Sequence, residues 1–241
     1  MKTCLFIQPG AFGDIFLCAP IAKIYHDNGY KVFWPTTLKF KPLIDAFPYV
    51  EHIQLNNEVL HSDWLRSDVM KILNLPIYKE ASLILNLADR GPHPTANNIP
   101  GENFEQCKYR LSSIPIEHKH TLEWKRNNQK EEKLYKHLVG GKKDYIFCHL
   151  ESSRGDRAEL PNLNDENIIE AKYIEGYEIF DWFKIINNAK KIYCVESAFH
   201  QFIDGIIPHI IDIPRYILSR STLGKGESYT YSPFWDKKYI E

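Results

Sequence analysis

Thr3-Cys4-Leu5-Phe6-Ile7-Gln8-Pro9-Gly10-Ala11-Phe12-Gly13-Asp14 opens the chain with a short apolar run broken by a proline- and glycine-bearing turn. The run at residues 3–8 has the length of a strand buried on both faces. The turn delivers the chain into an apolar stretch at residues 15–28, which the sequence predicts as a helix, with Gly29 as its C-terminal stop. Strand, tight glycine turn and helix are the first half of a parallel βαβ unit, because parallel neighbours need a crossover.

The same rhythm continues outward. Residues 31–35 and 50–55 read as strands, Asp63 as the cap of a helix through Leu73, and residues 82–87 as a fourth strand. Residues 89–101, with three prolines, two glycines and two asparagines, interrupt it. A loop of that length in a compact fold is more often functional than incidental. Residues 119–143 hold eight Lys or Arg against three Glu and end in Gly140-Gly141, read as a helix followed by a hinge. The alternation then restarts. Residues 145–150, 167–173, 192–195 and 209–213 read as strands, and residues 182–190 as a helix capped by Asp181. The fold class is therefore α/β, with two small parallel-sheet domains at 1–140 and 141–241 facing across a cleft.

Composition narrows the function classes. The 241 residues are 44% hydrophobic and 25% charged, with 30 Lys plus Arg against 31 Asp plus Glu. Such a balance excludes attachment to nucleic acid mainly by bulk charge. No apolar stretch approaches the ~20 residues of a membrane span, and the first apolar run is too short for a secretory signal. Five cysteines without a CxxC pair fit reduced thiols, so a cytoplasmic setting is expected. There is no H-E-x-x-H or Cys/His cluster, hence no expected metal site, and no Gly-x-Ser-x-Gly elbow.

Three motifs stand at the carboxyl ends of expected strands, where open α/β sheets bind ligands. Gly10-Ala11-Phe12-Gly13-Asp14 is either a tight turn with Asp14 capping the helix, or a site where backbone approaches a ligand. It is not a dinucleotide fingerprint or a P-loop: G-x-G-x-x-G and Gly-Lys-Ser/Thr are both absent. His149-Leu150-Glu151-Ser152-Ser153-Arg154-Gly155-Asp156-Arg157 is a solvated loop or a pyrophosphate contact. Val195-Glu196-Ser197-Ala198-Phe199-His200 is a helix start or a phosphate and ribose contact.

The layout resembles the GT-B glycosyltransferases, especially the heptosyltransferase-like family 9. Gly13-Asp14-Ile15-Phe16-Leu17-Cys18-Ala19-Pro20 is similar to the family's Gly-Asp turn and Pro-containing helix. The resemblance implies two Rossmann-like domains, an inverting mechanism, and Asp14 as catalytic base. Arg154 or Arg157 resembles the family's cationic phosphate contact, and Ser153 stands beside them. Glu196, Ser197 and His200 resemble its Asp-Ser/Thr-Gly…His donor motif, with Glu196 for Asp, Ala198 for Gly, and the histidine one position closer. Glu175 is a candidate for the donor ribose. Gly13, Asp89, Arg90 and His93 are expected on the acceptor side. The implied partners are a nucleotide-sugar co-substrate, with no other cofactor, and a surface-glycan acceptor of lipopolysaccharide type. A hydroxymethylated DNA base is an alternative acceptor, and a non-catalytic nucleotide- or sugar-binding relic an alternative to the enzyme.

Overall fold

The computed structural model describes residues 2–56, 64–88, 102–152, 155, 157–161, 167–218 and 232–238. Asp63, Ser153, Arg154 and the whole 89–101 loop, with Asp89, Arg90 and His93, lie outside the described residues. The chain divides into two units, Met1–Lys125 and Arg126–Glu241.

In the first unit the elements run β1 (Lys2–Ile7), α1 (Phe12–Asp27), β2 (Tyr30–Thr37), α2 (Lys41–Ile44), β3 (Val50–Leu55), α3 (Trp64–Leu73), α4 (Pro76–Glu80), β4 (Leu83–Asn86) and α5 (Phe104–Leu111). The sheet is parallel in the order β3-β2-β1-β4, with Leu5 opposite both Phe33 and Ile84. β1 sits between neighbours and is buried from Cys4 to Ile7, as an apolar run without alternation requires. α1 covers it with an almost unbroken buried segment from Asp14 to Ala22. Pro20 lies inside that helix and withholds one backbone donor. Tyr109 of α5 donates its hydroxyl to the Leu17 carbonyl at 3.0 Å, in the turn the proline loosens.

In the second unit the order is α6 (Asn128–Leu138), β5 (Ile146–His149), β6 (Ile168–Glu170), α7 (Phe183–Asn187), β7 (Lys191–Val195), α8 (Ala198–Gly205), β8 (Arg215–Leu218) and β9 (Asp236–Lys238). This sheet is also parallel, in the order β6-β5-β7-β8-β9. Ile146, Cys148, Tyr193, Val195 and Leu218 share one core cluster on it.

Several elements depart from the sequence expectation. The boundary between units falls before α6, not at Gly140-Gly141. Gly140 instead ends α6 at φ +58, its N–H bonded to the Tyr135 carbonyl, which makes it a helix stop. The expected helix at 182–190 begins earlier and is shorter. Glu178 and Asp181 form a reciprocal capping box that starts a 3₁₀ turn at Ile179–Trp182 before α7. The expected strand at 209–213 is not one. Pro208 fixes a 3₁₀ turn at Ile207–His209, and the Ile211 N–H goes to Asn187 Oδ1, so pairing starts only at Arg215.

Candidate functional site

A parallel sheet opens a crevice where successive crossovers leave in opposite directions, at the carboxyl ends of the two strands concerned. In the first unit that switch point lies between β1 and β4. Gln8 follows β1 there, and Leu87 follows β4 with its N–H on the Ile7 carbonyl. Asp14 sits in the first turn of α1, three places after Ala11, whose carbonyl accepts the Ile15 N–H. The positive helix end favours a carboxylate at that position. Ala11 holds φ +64, a left-handed backbone uncommon without glycine, and bends the chain sharply into the helix.

A fourth residue completes the group, and nothing in the spacing of motifs announces it. Lys108 reaches in from α5 with a side chain about as buried as any in the protein (1% exposed). Its Nζ donates to Gln8 Oε1 at 2.6 Å and to the Leu87 carbonyl, and stands 3.5 Å from Asp14 Oδ1. Gln8 Nε2 in turn donates to the Gly10 carbonyl at 2.7 Å, and the Gln8 carbonyl accepts the Trp34 indole N–H at 2.7 Å. Asp14 and Gly13 therefore sit on a turn braced by both strands of the switch point.

In the second unit the switch point lies between β5 and β7. His149 ends β5, and Glu196-Ser197 follow β7. His149 Nδ1 and Ser197 Oγ are 2.9 Å apart, and the same oxygen caps α8 by accepting the His200 N–H at 3.4 Å. Glu196 is buried beside them in sequence, and Phe199 lies 4.7 Å from the His149 ring. Burial lowers the His149 pKa from 6.5 to about 4. The ring is thus neutral at neutral pH, a hydrogen-bonding partner with no charge.

That shift has a sign. The folded chain takes up the His149 proton only near pH 4, whereas the unfolded chain takes it up near 6.5. Folding stability is expected to fall as pH drops through that window, because the unfolded state binds more of the protons. Urea unfolding of wild type and His149→Asn at about pH 7 and about pH 4.5 checks it: the wild type should lose more stability between the two.

The remaining expected residues are not gathered in these groups. His200 is fully buried with its ring against Trp235 at 4.8 Å, since α8 turns that face into the core. Arg157 is exposed and ion-paired with Glu170 at 2.7 Å. Glu175 lies exposed in the turn after β6, where the neighbouring Gly176 carbonyl takes a bond from Lys130. Among the described residues no group of three or more His, Cys, Asp or Glu side chains is arranged to hold a metal ion, and no helix is long and apolar enough to cross a membrane.

No family model and no curated protein matches the chain. Solved structures do. A glycosyl transferase family 9 protein from Veillonella parvula matches with TM-score 0.60 at 9% identity, over 99% of this chain and 86% of that one. E. coli ADP-heptose lipopolysaccharide heptosyltransferase II matches with TM-score 0.56 at 10% identity, over 99% and 90%. E. coli heptosyltransferase WaaC, solved with ADP, matches with TM-score 0.55 at 11% identity, over 100% and 94%. At these identities the likeness is one of fold, and it extends through both units.

Proposed function

We propose that the protein is an inverting glycosyltransferase that moves a sugar from a nucleotide-sugar donor to an acceptor hydroxyl. The observation that carries this reading is Asp14, a carboxylate at a helix N-terminus and a switch point, braced by a buried ammonium. Asp14 takes the proton of the acceptor hydroxyl as that oxygen attacks the anomeric carbon. The bond from that carbon to the nucleoside diphosphate breaks in the same displacement, so the configuration inverts. The second unit receives the donor. The N–H groups opening α8, the Ser197 hydroxyl and the cations Arg154 and Arg157 stabilise the leaving diphosphate. Arg157 is available for this because an exposed ion pair such as its bond to Glu170 is weak and exchangeable.

A glycan acceptor of lipopolysaccharide type fits better than modified DNA. The cationic stretch 119–143 spends several of its charges internally. Lys119 pairs with Glu105, Arg126 with Glu131, Lys130 with Asp181, and Lys136 with Glu132. Lys125, Lys133, Lys142 and Lys143 are the other cations of that stretch, and a formal charge of −1 on the chain gives little bulk attraction to a phosphate backbone.

The test is incubation with ADP-, UDP-, GDP- and CMP-linked sugars and a panel of core-glycan acceptors, following nucleotide release. One donor should be consumed in an acceptor-dependent manner. Nucleotide-sugar binding without turnover across the panel would instead make the chain a binding relic. Tight, steeply salt-sensitive binding of hydroxymethylated duplex DNA would favour the nucleic-acid acceptor.

A further inference from the structure

We infer that Lys108 is a positioning residue for Asp14: its ammonium, anchored on Gln8 and Leu87, holds the carboxylate in place at the switch point, where it meets the acceptor's proton. This rests on the reading of Asp14 as the base. The geometry leaves Lys108 little else to do. An ammonium carries three protons. Two go to Gln8 Oε1 and the Leu87 carbonyl, and Nζ stands 3.5 Å from Asp14 Oδ1 as its ion-pair partner. With Lys108 Nζ so engaged and its side chain 1% exposed, it is not placed to bind a donor phosphate or to act as a base itself.

Lys108 also links the parts that must stay in register. Gln8 comes from the end of β1, Leu87 from the end of β4, and Lys108 from α5. Charge is the essential property. A buried carboxylate is tolerated as an anion only when a counter-charge or hydrogen bonds replace its lost water.

A role in packing alone predicts different behaviour from a role for the charge. Lys108→Ala removes three methylenes and the ammonium. It is expected to lower kcat by about 100-fold or more, with the donor KM within about threefold of wild type. n-Propylammonium, which replaces the missing atoms, should restore a substantial part of kcat, whereas n-propanol at equal concentration should not. Lys108→Arg should retain more activity than Lys108→Ala. Asp14→Asn/Lys108→Ala should be no slower than Asp14→Asn alone, because the two act as one unit. Equal rescue by the alcohol, or full turnover in Lys108→Ala while Asp14→Asn is inactive, would overturn the inference and leave the proposed function standing. Absence of turnover in the intact chain with every donor, or full turnover in Asp14→Asn, would overturn both.

Discussion

Asp14→Asn is expected to lower turnover by about 10²–10⁴-fold while leaving donor affinity nearly intact. The amide keeps the size and planarity of the carboxylate but has no site basic enough to take a hydroxyl proton. Donor affinity should survive because the donor is assigned to the groups around Ser197, in the other unit. Initial rates with the donor and acceptor found by the nucleotide-sugar panel give the first quantity, and calorimetric titration with the donor gives the second. A variant that turns over at the wild-type rate removes Asp14 from the mechanism. A variant that loses both turnover and donor binding points to damage beyond the chemical step.

The second large effect is on stability. Glu105→Ala is expected to destabilise the protein by about 3–5 kcal/mol, because it removes one partner of a buried ion pair. Glu105 and Lys119 are 2.6 Å apart and both essentially unexposed, with side-chain values of 0% and 1%. Truncating the acid takes away that counter-charge at a buried ammonium. Replacing both residues by methionine should cost much less, since no charge is then left behind. Urea unfolding of the single and double variants measures the difference, and a single variant within about 0.5 kcal/mol of wild type would show that water reaches the lysine after all.

Strand positions at β1 and β4 were legible because their apolar runs are short, continuous and bounded by turn residues. The second half was harder. Around 207–218 two prolines divide an isoleucine-rich stretch, and periodicity alone does not say on which side of Pro214 the strand lies. Asp14 and Ser197 were legible as candidates because each lies where the chain passes from a strand into a helix. Lys108 was not. The inward face of α5 carries Glu105, Lys108, Tyr109 and, just past its end, Ser112, at helical spacing. A pattern search looks for apolar residues on such a face, and here two of the four are charged. Their partners, Asp14 and Lys119, lie in other elements, so only the folded chain pairs them.

The bracing of Lys108 also has a consequence for the order in which the chain acquires activity. The bond from Lys108 to Gln8 spans a sequence separation of 100 residues, whereas the one to Leu87 spans 21. Contacts of long separation carry a larger loop-closure cost and tend to form once much of the intervening chain is already placed. A nascent or partly refolded chain with β1 to β3 paired already has Asp14 at its turn, yet lacks the ammonium that holds it in place. Catalytic competence should thus lag behind the recovery of helical and sheet signals during refolding, appearing with the docking of α5. The site then doubles as a check that the first unit is complete, so that a chain caught halfway holds a carboxylate but not a catalyst.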